Sequence, residues 1–236
     1  MFKTESQEPS RIPSLLAEDK GDPAQIRHRV AAVVPAYNEE DTIGGILQVL
    51  LSSSAIDEVI VVNDGSSDHT AQVAADLGAR VISLYPNRGK GGAMKAGAKA
   101  TTADILLFVD ADLVGLSETH CHDLLEPVIS GRTDMTVGVF AGGRATTTIA
   151  QKITPFLSGQ RAIRRKILEE IPQLEDSRYG VEVAISKYVA ANGIRVEKVL
   201  LKDVSHVMKE EKQGLLPGAR NRLKMYWEIL KVLGPR

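Results

Sequence analysis

The chain has 236 residues, of which 43% are hydrophobic and 25% are charged, and its formal net charge is −1 at pH 7. This size suits one large α/β domain with a complete core, and the near-neutral charge excludes a global field that would recruit nucleic acid. The single cysteine, Cys121, excludes an internal disulfide and fits a reducing compartment. No apolar stretch approaches the roughly 18 to 20 residues that span a bilayer, and residues 1–20 lack the apolar core of a signal peptide. We therefore expect a cytoplasmic protein.

Residues 1–29 are rich in Glu, Ser, Pro, Asp and Lys, and we expect a leader that is disordered or docked as an arm. From Val30 onward, strand patterns alternate with helix patterns. Strands are predicted over residues 30–35, 59–62, 80–84 and 104–109. Helices are predicted over residues 39–51 with Asn38 as N-cap, from Asp68 to 78, and from the glycine-rich residues 87–92 to about 100. This alternation predicts α/β architecture with parallel strands and right-handed crossovers.

Polar residues follow every predicted strand, at the point where the strand ends. Asp110-Ala111-Asp112 ends the fourth strand, and two carboxylates at the mouth of a sheet can hold one hard cation, which would bind a diphosphate. Such a pair can also simply cap the next helix or hydrogen-bond its turn. Ligands of parallel α/β sheets bind outside the carboxyl ends of the strands, so the loops together predict one site. The loops are residues 35–39, 63–65, 87–92 and 110–112.

The P-loop and Rossmann glycine motifs are missing from the chain, and the four loops instead resemble family 2 glycosyltransferases of the GT-A fold. The resemblance rests on Val33-Val34-Pro35-Ala36-Tyr37-Asn38-Glu39-Glu40, Val62-Asn63-Asp64-Gly65-Ser66-Ser67-Asp68, Asn87-Arg88-Gly89-Lys90-Gly91-Gly92-Ala93 and Asp110-Ala111-Asp112. It implies a nucleotide-sugar-binding half over residues 30–140, with Asp112 as a ligand of Mn²⁺ or Mg²⁺. The donor-binding residues implied by it are Pro35, Tyr37, Glu39, Asp64, Lys90, Asp110 and Ala111.

The remainder, residues 141–236, is similar to the acceptor-binding half of glucosyl-3-phosphoglycerate synthases within the same GT-A domain. The similarity rests on Gly142-Gly143-Arg144-Ala145-Thr146, residues 155–165, Tyr179-Gly180-Val181-Glu182 and Ser205-His206. It implies that Glu182 is a catalytic carboxylate at the sugar and that His206 completes the metal site. Asp176 is a weaker candidate base if the transfer inverts the anomeric configuration. The acceptor-binding residues implied by it are Gly143, Arg144, Thr146, Ser158, Gly159, Gln160 and Arg161.

Several features of this half have a second interpretation. His206 could be an ordinary turn histidine, and Arg161 with its basic neighbours is typical of a solvated face, although Arg161 could also bind a phosphorylated acceptor. We assign no role to His120-Cys121-His122, because consecutive helix residues point in different directions. Residues 215–233 predict an amphipathic helix. We expect it to dock on its own domain or in a homodimer, with peripheral contact at the inner face of the membrane as the alternative.

We therefore expect a metal-dependent glycosyltransferase that moves a sugar from UDP-glucose or a similar donor to a phosphate-bearing acceptor such as 3-phosphoglycerate. The family segment Gly-Tyr-Gly-x-Glu, in which Arg178 replaces the first glycine here, and the late histidine also occur in dolichol-phosphate-sugar synthases. A lipid-phosphate acceptor at the membrane surface therefore stays open. A non-catalytic regulator that binds nucleotide sugars is the alternative from another class. Whether the transfer retains or inverts the anomeric configuration is also left open by the sequence.

Overall fold

Strands and helices alternate along the chain in the computed structural model, which describes residues 27–140, 158–172, 174 and 180–206. The strands are β1 Val30–Ala36, β2 Glu58–Asn63, β3 Arg80–Ser83, β4 Ile105–Phe108, β5 Leu113–Val114, β6 Met135–Phe140, β7 Arg161–Arg164, β8 Val196–Leu201 and β9 Ser205–His206. The helices are α1 Ile43–Ser52, α2 Thr70–Asp76, α3 Gly89–Lys99, α4 Glu118–Ile129, α5 Arg165–Glu170 and α6 Val181–Ala191. Residues 1–26, Gly143, Arg144, Thr146, Asp176 and the predicted helix over 215–233 lie outside the described residues.

Seven strands form one sheet in the order β3-β2-β1-β4-β7-β6-β8, and β5 pairs with β9 beside it. The strands β3, β2, β1 and β4 are parallel, and so are β6 and β8. In contrast, β7 runs antiparallel to both of its neighbours, β4 and β6. The predicted α/β fold with a mostly parallel sheet is confirmed, and the four predicted strands agree with β1 to β4 to within one residue at each end.

Both faces of the sheet are covered, so the strands are hydrophobic on both sides. Alternate residues of β1 point to opposite faces: Ala32 and Val34 belong to the core under α1, α2 and α4, whereas Ala31 and Val33 belong to the core under α3, α5 and α6. This arrangement places the first turns of α3 and α6 on the same side of the sheet. No helix in the described ranges is both long and apolar enough to cross a membrane.

The beginning of α1 differs from the prediction. The helix begins at Ile43 rather than Glu39, and Asn38 is not its cap. Asn38 has a left-handed backbone (φ 56°), which asparagine tolerates better than most residues. Its Oδ1 accepts a hydrogen bond from the N–H of Ser67 at 2.8 Å, and its own N–H donates to Oγ of Ser66 at 3.0 Å. The loop after β1 is therefore fastened to the loop after β2, and this tertiary contact overrides the local helix signal.

Gly97 allows α3 to approach the sheet closely. A Cβ atom at this position would overlap Cγ1 of Val33 and lie 3.1 Å from Cγ2 of Val62. Because α3 carries Lys90 in its first turn, this contact also sets the height of Lys90 above the sheet.

Replacing Gly97 with alanine should lower the free energy of unfolding by about 1–3 kcal/mol, the usual cost of overpacking a core. The matched control is Gly45→Ala in α1, where an added Cβ meets nothing within 4 Å. That control should be neutral or stabilising, because alanine favours a helix over glycine by about 1 kcal/mol. Urea denaturation of both variants measures the difference, and equal unfolding midpoints would contradict the close approach of α3.

Candidate active site

A cleft lies at the carboxyl ends of the parallel strands β1, β2 and β4, beside the first turn of α3. It is lined by Pro35, Ala36, Tyr37, Glu39, Asp64, Lys90, Ala93, Asp110, Ala111, Asp112 and His206. This lining contains all of the predicted donor-binding residues and both predicted metal ligands. The structure thus brings these residues together, while their roles in binding stay predictions.

Two acidic side chains of the cleft are held in place by the loops around them. Asp64 is 4% exposed, and its Oδ1 accepts a hydrogen bond from the N–H of Arg88 at 2.7 Å. The carbonyl oxygen of Asp64 accepts from Nδ2 of Asn87, also at 2.7 Å. Glu39 is buried too, and its Oε2 accepts from Oγ1 of Thr42 at 2.8 Å. Both carboxylates are therefore oriented before any ligand arrives.

Asp110, Asp112 and His206 form a compact group of potential metal ligands. Each offers one ligand atom, and these atoms all lie within 4.8 Å of one another. The pairing of β5 with β9 sets Leu113 opposite His206, which brings Nδ1 of His206 to 3.0 Å from Oδ1 of Asp112. Two carboxylates and an imidazole suit Mn²⁺, and the carboxylates suit Mg²⁺ as well. The donor set therefore fits a divalent cation.

The ring of His206 is oriented by Phe140 and by its hydrogen bond with Asp112. Phe140 packs edge-on against it, with ring centroids 5.0 Å apart. Burial disfavours the charged imidazole, but the hydrogen bond to Asp112 and the charges of Asp110 and Asp112 outweigh burial and raise the pKa of His206. Gly115, with φ +84°, makes the β5–β9 pairing possible, because a Cβ there would overlap the carbonyl oxygen of Asp203. The resemblance did not point to Phe140 or Gly115.

Lys90 connects two carboxylates that come from different parts of the chain. Its Nζ lies 2.5 Å from Oδ1 of Asp110, at the end of β4, and 2.6 Å from Oε1 of Glu182, in the first turn of α6. Burial opposes the charge on Lys90, yet the two carboxylates raise its pKa. Burial likewise opposes the charge on Asp110, but the Lys90 ammonium outweighs it and lowers the pKa of Asp110. The positive end of the α3 dipole also opposes an ammonium in the first turn, so Lys90 depends on these partners.

The segment Ser158-Gly159-Gln160 lies behind Asp110. Nε2 of Gln160 donates to Oδ2 of Asp110 at 2.9 Å, and Oγ of Ser158 donates to Oε1 of Gln160 at 3.1 Å. A Cβ on Gly159 would overlap the Asp110 carboxylate. The sequence predicts an acceptor-binding role for this segment, and the structure places it, buried, where it orients Asp110. The Gln160 contact gave no signal in the sequence, because it joins residues 50 positions apart.

Arg161 does not belong to the solvated face that its basic neighbours suggested. It starts β7 opposite Phe108 of β4, and it is 0% exposed. Its Nη2 donates to the carbonyl oxygen of Ser158, whereas Nε and Nη1 have no hydrogen-bond partner in the part of the chain that the structure describes. Burial lowers the pKa of Arg161, and the charges of Glu182 and Asp110 partly counter this effect.

His120, Cys121 and His122 do not converge as metal ligands in the part of the chain that the structure describes. His120 takes part in the cap of α4 with Ser117, and Cys121 is fully buried in the core, where burial raises its thiol pKa to about 12. Of the three side chains, that of His122 is exposed.

Known proteins with similar sequences include the glucosyl-3-phosphoglycerate synthases that the motifs resemble. A glucosyl-3-phosphoglycerate synthase of Mycolicibacterium smegmatis is 30% identical over 200 residues, which cover 69% of this chain and 64% of the relative. The synthase of Mycobacterium tuberculosis is 31% identical over 199 residues, covering 69% of this chain and 61% of the relative. The chain thus matches less than two thirds of the length of these curated relatives.

Solved structures and a family model agree with these relatives. A crystal structure of the M. tuberculosis synthase in complex with Mn²⁺, uridine diphosphate and phosphoglyceric acid aligns with a TM-score of 0.70 and 26% identity, covering 89% of this chain and 80% of that one. A complex of the same enzyme with Mn²⁺ and UDP-glucose aligns with a TM-score of 0.66 and 25% identity, covering 87% and 79%. The model of glycosyl transferase family 2 matches residues 31–187, and the chain belongs to this family.

Proposed function

We propose that this protein is a metal-dependent glycosyltransferase that moves glucose from UDP-glucose to 3-phosphoglycerate. The observation that carries the proposal is the group of Asp110, Asp112 and His206 beside Lys90, in one cleft with all the predicted donor-binding residues. The resemblance to glucosyl-3-phosphoglycerate synthases, whose structures contain UDP-glucose and Mn²⁺, supports the choice of donor and metal.

The cleft offers a place for each part of the donor. Glu39 and Asp64, which line the cleft, would hold the base and ribose, and Tyr37, whose side chain is exposed, would form an aromatic wall. Lys90 stands where it can donate to the diphosphate. Asp112 and His206 would hold a divalent cation, with Asp110 close enough to take part. Such a cation, when bound, neutralises charge on the departing diphosphate.

Glu182 is the candidate carboxylate for the sugar. It sits in the first turn of α6, where the helix dipole favours a negative charge. Lys90 holds it at 2.6 Å, so the carboxylate is next to the proposed diphosphate site. From there it can orient the acceptor hydroxyl or face the oxocarbenium-like centre. Asp176, the weaker candidate base, lies outside the described residues.

The acceptor is proposed from the sequence resemblance. Gly143, Arg144 and Thr146 form the Gly-Arg-x-Thr pattern that binds the acceptor phosphate in the resembling family, and they lie outside the described residues. A guanidinium and a hydroxyl are suitable donors to a phosphate. The lipid-phosphate alternative comes from the likeness at residues 179–182 and at the late histidine, and a membrane contact through residues 215–233, which lie outside the described residues, would favour it.

The whole proposal is tested by turnover. Purified protein with UDP-glucose, 3-phosphoglycerate and Mn²⁺ should release UDP and form glucosyl-3-phosphoglycerate, as measured by mass spectrometry. Removal of Mn²⁺ by chelation should stop the reaction. Binding of UDP-glucose without any transfer would support the regulator, and transfer to a polyprenyl phosphate instead would support the lipid alternative.

The metal assignment predicts that Asp112→Ala abolishes the effect of Mn²⁺ on UDP affinity. In the wild type, Mn²⁺ should tighten UDP binding at least tenfold, about 1.4 kcal/mol, because a cation links the carboxylate to the diphosphate. Isothermal titration with and without Mn²⁺ measures this enhancement. Asp123→Ala, which removes an exposed carboxylate of α4, is the matched control and should keep it. A full enhancement in Asp112→Ala would contradict the metal site.

The acceptor assignment predicts that Arg144→Ala raises the KM for 3-phosphoglycerate at least tenfold, about 1.4 kcal/mol, with little change in the KM for UDP-glucose. Steady-state kinetics with each substrate varied in turn separates the two constants. Arg132→Ala, whose exposed side chain pairs with Glu126 and Glu197, is the control and should change neither. An equal rise in both constants would mean that Arg144 does not recognise the acceptor phosphate.

A further inference from the structure

The guanidinium of Arg161 is buried and under-bonded. It is 0% exposed, and within the described part of the chain its Nε and Nη1 donate to nothing. Leaving buried donors unsatisfied destabilises a protein, and an apolar side chain of similar volume is often the more stable choice for a buried charge. The buried charge and unsatisfied donors of Arg161 are therefore not explained by a contribution to the free energy of unfolding.

Two carboxylates near Arg161, those of Glu182 and Asp110, are candidate partners for its guanidinium. Arg161 pairs with Phe108 across β7 and β4, and Phe108 belongs to the core under α6, so the Arg161 side chain lies on the face of the sheet that α6 covers, with Glu182 in the first turn of α6. The charges of Glu182 and Asp110 act on its guanidinium there. Asp110 has two donors, because Gln160 holds Oδ2 while Lys90 holds Oδ1. For Glu182, Lys90 is the only ion-pair partner among the described residues. When Lys90 leaves, Asp110 keeps the Gln160 amide as a donor, whereas no other ion-pair partner of Glu182 lies among the described residues.

The proposed function requires Lys90 to donate to the donor diphosphate, and the inference rests on that function. A lysine ammonium that turns to the diphosphate weakens its hold on Glu182. The Glu182 carboxylate would then be partly buried, unpaired and close to an arriving anion, which is costly. Nε and Nη1 of Arg161, which lack a partner among the described residues, lie on different edges of the guanidinium, and each can donate a charge-assisted hydrogen bond to a carboxylate oxygen.

We propose that Arg161 is a positioning residue that takes over Glu182 when Lys90 turns from Glu182 to the donor diphosphate. In the unliganded protein, Lys90 bridges the two carboxylates, and Nε and Nη1 of Arg161 have no partner among the described residues. In the donor complex, Lys90 serves the diphosphate and Arg161 holds Glu182 at the sugar. Donor binding is thereby coupled to the placement of the carboxylate.

A double-mutant cycle on UDP affinity in the presence of Mn²⁺ tests this exchange. Arg161→Met keeps the volume and removes the charge, so UDP affinity should fall about tenfold, because Lys90 can no longer leave Glu182 without cost. In a Glu182→Gln background, where no charge needs a replacement partner, the same substitution should change affinity by less than about twofold. Arg161→Lys should recover most of the loss, because the positive charge remains.

Two further measurements separate positioning from a structural role. The thermal unfolding midpoint of Arg161→Met should equal or exceed that of the wild type; if this variant does not fold, Arg161→Gln goes through the same cycle. Arg164→Met is the matched control, since Arg164 bonds to Asp134 and Val128 away from the cleft, and it should leave UDP affinity unchanged.

The outcomes distinguish the exchange from the function on which it rests. An equal loss of affinity in both Glu182 backgrounds, or no loss at all, would overturn the exchange while leaving the donor site intact. A wild-type protein that does not bind UDP with Mn²⁺ would instead refute the proposed function itself.

Discussion

The ion pairs of Lys90 with Asp110 and Glu182 are the interaction on which the site depends. They join the end of β4 to the first turns of α3 and α6, three elements that meet only because both helices cover the same face of the sheet. The close contact at Gly97 sets the height of α3, and the Gln160 amide fixes Asp110 from behind. A cation placed in this way balances the acidic cleft until a diphosphate and a metal change the distribution of charge.

Much of this arrangement follows from local patterns. Buried apolar runs at residues 30–35, 59–62 and 104–109 alternate with helical segments, and that alternation alone predicts parallel strands whose polar loops share one edge. The loops then contain the cleft residues, from Pro35 to Asp112. Asp112 is a candidate metal ligand because two carboxylates at the mouth of a sheet can hold one cation, and the resemblance to family 2 glycosyltransferases favours this role over a helix cap or a turn. His206 came from the resemblance, since nothing local connects residues 94 positions apart.

The parts that the sequence did not predict depend on long-range contacts. Asn38 is of a residue type that is common at helix N-caps, yet its hydrogen bonds to Ser66 and Ser67 hold it in a left-handed conformation. Arg161 has basic sequence neighbours that are typical of a surface residue, but the antiparallel pairing of β7 between β4 and β6 makes β7 an interior strand and buries Arg161. Periodicity cannot reveal such a strand, because it is only four residues long and partly charged.

The central claim is that this cleft binds a nucleoside diphosphate and a divalent cation together, with Lys90 changing partners. A crystal structure of the protein with UDP and Mn²⁺, with the metal located by its anomalous signal, is the most direct test. The account predicts Mn²⁺ bound by Asp112 and His206, and Nζ of Lys90 in contact with the diphosphate. UDP bound elsewhere, or Lys90 still bridging Asp110 and Glu182 beside an occupied cleft, would contradict it.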